Sequence, residues 1–531
     1  MPVSRKIWRL TEVALLIGTP GGYIAGGGFL ILPGLVRCHL GQTNTTGTEP
    51  PVQRKNFGQN QTLQPSATYT PADEAEVLRI LDRHRGQQVR AIGRLHSWSD
   101  AILADGVLLD LRRLNAVELG SDGDPLVATV GAGCQIKRLL KELDREGATL
   151  PSLGLITVQT IAGVISTGTH GSGRHSVSHY VVSVRLARYD ATSGKAVIEE
   201  VSEGASLEAA RCSLGSLGII LSVRMRCREQ YMVEEHFREY PLLSDVLQAQ
   251  DSYPLQQFYL IPWRWSYFAQ HRREADAARS WHASLYRAYW LVVMDYGLHL
   301  LILFMVRWAG IRSLARLTFR KVLSIFVVRN WRVVDRSSSM LVMRHDAFRH
   351  IEIELFVRRN RLNEALRYSQ EVLQVAGGTE TALSVENQAR VAALGMQEDL
   401  TGLHNKHCHH YPICVRRVLP DDTLISMASG AGEDWYALSF ISYVKPHKRA
   451  GFLRFAEFMA GSMSRLFDAR PHWGKVCPLD PEELRSLYPR FDDFRSTCST
   501  FDPNGVFQNR WTAALLDTDA GMDVSQHDPS D

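Results

Sequence analysis

The run Ile161-Ala-Gly-Val-Ile-Ser-Thr-Gly-Thr-His-Gly-Ser-Gly173 restricts what this chain can fold into more than any other stretch. Small and hydroxyl side chains in succession leave main-chain N–H groups uncovered, as a loop closing on a pyrophosphate requires. Packing between a strand and a loop explains any one glycine here, but not the whole run. The run is not a G-x-G-x-x-G turn after a strand, and no lysine follows in the register of a Walker loop, so nicotinamide and nucleoside-triphosphate readings lose support. Earlier, Ala91-Ile-Gly-Arg-Leu-His-Ser-Trp-Ser-Asp100 sets a lone histidine, His96, in a second small-residue turn.

The chain has 531 residues, 45% of them hydrophobic and 22% charged, enough for two or three domains with a substantial core. A net charge of +4 without a basic run interleaved with aromatics argues against a nucleic-acid partner. Eight cysteines with no C-x-x-C pair leave the redox compartment open. Residues 13–36 carry no charged side chain and follow Arg5, Lys6 and Arg9, a length and flank that suit a bilayer. The segment reads as a membrane anchor, an export signal or a start assigned too far upstream; the expectation is membrane localisation through it. A second apolar stretch, 289–306, is interrupted by Asp295 and His299 and runs into a basic region where Arg312, Arg316 and Arg320 share a helical face. It fits a helix lying on an anionic membrane surface, or a buried helix followed by a solvated one.

Residues 1–68 read as the hydrophobic segment and a linker, since 38–68 lack periodicity. An α+β domain follows at 69–233. It opens with a helix capped by Thr70, with Pro71 at its first position and Gly86 at its end. Strands near 88–92, 107–111 and 126–130 and an amphipathic helix at 135–146 continue it. A larger mixed region spans 234–470, with an insertion at about 270–340. Within it, residues 350–356 alternate cleanly, so His350, Glu352 and Glu354 share one face of a strand. Those carboxylates either line a cleft or form a solvated face. Residues 471–515 form a last ordered piece, and 516–531 an acidic disordered tail. His404, His407, Cys408, His409 and His410 crowd one loop without a second ligand pair at zinc spacing, so no metal is expected.

Taken in order, His96-Ser-Trp-Ser-Asp100, Leu153 through Gly173, Ser213 to Ile220, Ile413 to Arg416 and His472-Trp-Gly-Lys475 resemble the landmarks of the sugar-lactone and alditol oxidases, FAD enzymes of the vanillyl-alcohol-oxidase superfamily. The resemblance implies an α+β, two-lobed protein: a PCMH-type FAD-binding domain, an aldonolactone-oxidase-like α+β cap, and a C-terminal segment returning to the flavin. It implies that His96 bonds covalently to FAD, with Gly93, Arg94, Leu95, Ser97 and Ser99 forming its loop. Thr167, Gly168, Thr169, His170, Gly171 and Ser172, with Gly215, Gly218 and Ile220, would hold the cofactor. Arg416 and Lys475 match a cationic pair that would stabilise the alkoxide as hydride leaves carbon. The family pattern has a glutamate where this chain has Cys414, and Glu354 or Glu352 is the candidate substitute. Gly154 matches a position where oxidases keep a small residue and dehydrogenases an alanine, so O2 is the expected acceptor and H2O2 the by-product. A sugar-derived lactone or polyol is the expected substrate. The rivals are a membrane-linked dehydrogenase with a quinone or cytochrome acceptor, and a flavin-binding protein without turnover.

Overall fold

The computed structural model describes residues 53–518 except 121, 122, 125, 311, 344 and 345. The apolar segment 13–36 and the tail from 519 onward lie outside the described residues.

Three sheets carry the architecture. Strands Ala67–Tyr69, Val107–Asp110 and Val89–Ile92 form a parallel sheet with Val107–Asp110 in the middle. A five-stranded antiparallel sheet follows, ordered Ala196–Val201, Val181–Tyr189, Ile219–Arg226, Val127–Gly131 and Val117–Leu119. The third sheet has eight strands, ordered Val333–Arg336, Met232–Tyr240, Tyr267–Glu274, Gln257–Leu260, Ile413–Val418, Trp435–Ser442, Ile351–Arg358 and Arg470–Pro471. The helix Ile136–Arg145 shows why the local pattern holds: Ile136, Leu139, Leu140 and Leu143 fall on one stripe and are all buried.

Three expectations need correction. The first helix is Glu74–Arg83, and its cap is Asp73, whose carboxylate accepts from Glu76 N at 2.8 Å, not Thr70. Residues 53–68 are no linker: Arg54–Lys55 pairs with Thr62–Leu63, Asn56 is buried, and Phe57 stacks on His96 at 4.5 Å. The strand Ile351–Arg358 has no solvated face, because a strand lies on each side and both pleat faces are covered.

The C-terminal piece closes against the first sheet. Val89 N donates to Val506 O at 2.9 Å, Arg90 Nη1 to Phe507 O at 2.5 Å, and Trp98 N to Gly474 O at 3.0 Å. These bonds hold His472-Trp-Gly-Lys475 beside the His96 turn.

Candidate active site

A single cavity runs between the three sheets. Its walls include the turn 93–98, the small residues Ala132, Ala162 and Gly163, the segment Ser166–Thr167 with Thr169 and His170, and Leu214, Gly215, Gly218, Ile219 and Ile220. Two of its glycines are required by the packing behind them. A Cβ on Gly93 would collide with Thr160 Oγ1, and Gly218 sits at φ +136° with Ala187 O only 2.7 Å from where a Cβ would go. Uncovered main chain along a narrow channel is a cradle for an elongated, phosphate-bearing ligand. Leu95 adopts φ +56°, a left-handed conformation that branched and bulky side chains avoid, and it turns the following His96 into the cavity. His96 Nε2 lies 3.4 Å from Asp346 Oδ2, and that contact holds the Asp346 carboxyl below its usual range.

At the other end of the cavity the chemistry-bearing groups meet. Cys414, Ser439 and Glu354 are successive partners across three adjacent strands. Ser439 Oγ donates to Glu354 Oε1 at 2.7 Å, His170 Nε2 lies 3.4 Å from the same oxygen, and Arg416 Nη1 lies 3.9 Å from it. A carboxylate two strands from Cys414 therefore lies beside Arg416. Burial alone would raise Glu354, but the charge and hydrogen bond of His170, with the charge of Lys475, outweigh it and hold the carboxyl well below its ordinary range. Burial works against the charge of Arg416 too, yet Cys414, Glu354 and Glu352 raise its proton affinity above the ordinary arginine value. Lys475 Nζ donates to Glu352 Oε2 at 2.5 Å and sits 4.5 Å from the centre of the Trp98 ring. His350 and His472 are kept neutral, since burial pushes each down to about 3.

Of the residues expected from sequence, Gly93, Arg94, Leu95, His96, Ser97, Thr167, Thr169, His170, Gly215, Gly218, Ile220, Glu354, Arg416 and Lys475 all line this cavity. Ser99, Gly154, Gly168, Gly171 and Ser172 do not. Ser99 Oγ donates to Trp473 O at 2.5 Å and Ser172 Oγ to Gln256 O at 2.5 Å, so both hydroxyls join segments of the protein. A Cβ on Gly171 would meet the Leu153 carbonyl, and Gly168 takes φ +67° beside Met427. A Cβ on Gly154 would point at Thr169 Cγ2, 2.8 Å away, and not into the cavity, so it is no direct screen over a bound ligand. Arg90, Asp346, His350, Tyr411 and Tyr443 also line the cavity and were not singled out as site residues. Arg90 carried a signal, a charge inside an otherwise apolar strand; its guanidinium reaches the carbonyls of Ala101, Leu214, Gly215 and Phe507.

His407, His409 and His410 are buried beside Phe440, Phe452 and Phe455. Ligand-bearing atoms of His170, Glu354 and His472 lie within 4.8 Å of one another, at the end of the cavity where Arg416 and Lys475 meet. His170 Nδ1 donates to Gly171 O and His472 Nδ1 accepts from Gly474 N, while Glu354 takes Ser439.

A second cavity, of about 510 Å³, adjoins the first and shares Leu155, His299, Met343, Tyr411, Arg416 and Ile441 with it. Phe237, Ile261, Phe268, Trp290, Met294, Leu298, Leu323, Val327 and Met340 make most of its wall apolar. Six of its polar residues bond one another: Gln257 to Tyr259 and Gln270, Gln270 to Glu235, and Glu235 to Arg272 and Tyr286; Arg287, Asp295, His299, Ser339, Tyr411 and Arg416 also line it.

A wall of small residues, a cationic pair beside it and an adjoining apolar cavity are the arrangement of a flavin-dependent oxidoreductase. Residues 65–193 match the model of the FAD binding domain, and residues 241–515 match that of D-arabinono-1,4-lactone oxidase. The chain is 73% identical, over 88% of its length and 98% of the relative's, to a long-chain alcohol oxidase from an uncultured marine euryarchaeote. It is 26% identical to L-gulono-1,4-lactone dehydrogenase of Mycobacterium tuberculosis (strain CDC 1551 / Oshkosh), over 87% of the chain and 98% of the relative. It is also 26% identical to L-gulonolactone oxidase of Mus musculus, over 87% and 97%. A solvent-stable cholesterol oxidase shares the fold, with a TM-score of 0.66 at 16% identity over 87% of this chain and 97% of that one. The chain belongs to the D-arabinono-1,4-lactone oxidase family, the aldonolactone oxidases of the vanillyl-alcohol-oxidase superfamily. Its cofactor is FAD, and the wall of small residues at Ala132, Ala162, Gly163, Ser166 and Thr167 fits it.

Proposed function

We propose that this enzyme oxidises the primary hydroxyl of a long-chain alcohol to the aldehyde, with O2 as acceptor and H2O2 as by-product. The apolar second cavity, opening onto Arg416, is the observation that carries this reading. Apolar walls select a hydrocarbon by removing it from water, at about 0.8 kcal/mol per methylene. The name of the euryarchaeal relative points the same way. A sugar lactone or polyol, expected from the resemblance, is the second reading, favoured by the names of the 26% identical relatives. Against it, the cavity wall is mostly apolar, and Gln257, Tyr259, Gln270 and Glu235 are bonded among themselves.

FAD supplies the hydride acceptor. The protein's part is to hold the hydroxyl and its departing proton. Arg416 and Lys475 fix two positive charges where the alkoxide forms, in a site whose low dielectric strengthens them. Glu354 anchors Arg416 in place of the absent carboxylate at position 414. Glu352 is the acceptor for the hydroxyl proton, and Lys475 retains further N–H donors for the alkoxide after bonding it. Neutral His472 and His350 fill the pocket without adding competing charge. We assign His96 the covalent attachment to FAD, with Asp346 orienting its ring. Incubation with dodecanol in air tests the reading: dodecanal and H2O2 should accumulate in equal amounts. Oxidation of an aldonolactone with the alkanol untouched overturns the substrate assignment.

A further inference from the structure

The insertion expected at 270–340 is helical, and its outer surface is unusual. Residues Ala283–Trp308 form one helix, with Gly310 in a left-handed turn leading into helical residues 312–326. One side of the long helix packs inward through Met294, Leu298, Ile302 and Leu303. The opposite side of a soluble protein's surface helix is polar. Here it carries Val292, Leu300, Phe304 and Trp308, exposed by 64%, 46%, 56% and 47%, and Ile325 of the second arm is exposed by 78%. Only 28% of the helix's most apolar stretch is buried. Isolated exposed apolar residues need no explanation, but a continuous apolar face does.

Charge says what covers it. At the foot of the same insertion, Arg320 and Lys321 join Arg238, Arg264 and Arg329 in a groove whose lining holds one carboxylate, Glu239. Glu239 is already taken by Arg264 at 2.6 Å and Arg329 at 2.7 Å. Arg312 and Arg316, expected on the same face as Arg320, instead turn inward to the carbonyls of Asn405 and Gly377 and brace the insertion against the body. Trp290, Leu291, Met294 and Leu298 of the exposed helix also wall the apolar cavity that leads to Arg416. An exposed apolar face and a cationic groove carried by one insertion match the layered chemistry of a leaflet, acyl chains beside anionic headgroups.

We propose that the outer face of the 283–326 insertion beds into an anionic lipid bilayer, with the phosphates of its headgroups against the Arg320–Lys321 groove. A substrate of low water solubility would then have a short path from the leaflet to the cavity. The docking stands on the exposed face and the groove, whichever hydroxyl compound the site turns over.

Hydroxyl-radical footprinting of the full-length holoenzyme tests it, with vesicles of phosphatidylcholine and phosphatidylglycerol as the probe. Oxidation of Phe304, Trp308 and Ile325 should fall at least fivefold on adding vesicles, while that of the half-buried Trp511 on the C-terminal helix Arg510–Leu516 stays unchanged. Arg320→Glu with Lys321→Glu should raise the lipid needed for half protection about tenfold. Leu300→Glu with Phe304→Glu, at positions already open to water, should abolish protection of Trp308 without changing the thermal midpoint. Vesicle binding that leaves these side chains oxidised, as tethering by another segment alone would, overturns the proposal. So does protection that grows with protein concentration without lipid, which would make a second copy the occupant.

Discussion

Lengthening a linear primary alcohol by one methylene should raise the rate constant for flavin reduction at low substrate about fourfold, until the apolar cavity is full. Each buried methylene contributes about 0.8 kcal/mol, and about 1.4 kcal/mol is a factor of ten, so butanol to decanol spans about 5 kcal/mol, or between three and four orders of magnitude. The gain belongs to the specificity constant, because the remote chain is held in ground state and transition state alike. Met294→Trp adds bulk where the cavity wall is formed by the insertion helix, and should move the plateau to shorter chains without changing the slope below it. Anaerobic stopped-flow bleaching of bound flavin, with ethanol-to-hexadecanol series for both proteins, gives slope and plateau together. A slope near zero, or a plateau that Met294→Trp does not shift, would refute the assignment of this cavity to the alkyl chain.

Replacing Arg416 or Lys475 by Ala should slow anaerobic flavin reduction at least tenfold, about 1.4 kcal/mol, with flavin content retained; unchanged rates would mean that neither cation meets the alkoxide. Acid-precipitated protein should stay yellow and yield a flavin-bearing peptide containing His96, whereas release of all colour into the supernatant would rule out the covalent bond. Asp502 offers a pH-dependent stability: burial pushes its carboxyl up to about 6, against the opposing pull of bonds from the N–H groups of Phe507 and Val506 and the charge of Arg90. A raised folded value favours the protonated folded chain, so the stability it contributes is complete below about pH 4 and is lost as pH rises through about 6, on the order of 2–3 kcal/mol. Urea unfolding from pH 4 to 7 should show that loss in the wild type relative to Asp502→Asn, and parallel curves would contradict it.

Sequence made the flavin half legible because glycine runs and periodicity report local needs. The stripe Ile136, Leu139, Leu140 and Leu143 specifies a helix whatever surrounds it, and the uncovered backbone near Thr167 and Gly215 admits few ligands. What depends on distant contacts was not legible. Asp73 competes with Thr70 for one cap, and only the chain's path decides between them. Residues 53–68 lack periodicity because they are held by pairing and by Phe57 on His96, not by a repeating apolar face. The direction of a Cβ at Gly154 is set by Thr169, which the motif cannot reveal. Glu354 could be named as the substitute carboxylate from alternation, but its link to Arg416 runs across Ser439 on a strand some eighty residues further on. The apolar cavity was hidden altogether, since its walls come from an insertion and five strands spread between residues 232 and 442.

The central claim, an FAD enzyme that takes hydride from a long-chain alcohol and passes the electrons to O2, meets its most direct test in one cuvette. Purified holoenzyme is mixed anaerobically with one equivalent of dodecanol per flavin, and its flavin absorbance is followed before and after admission of air. The account predicts bleaching within seconds and full return of the colour in air, with one H2O2 per flavin. Colour that persists with the alkanol but bleaches with an aldonolactone, or bleached flavin that air fails to restore, would contradict it.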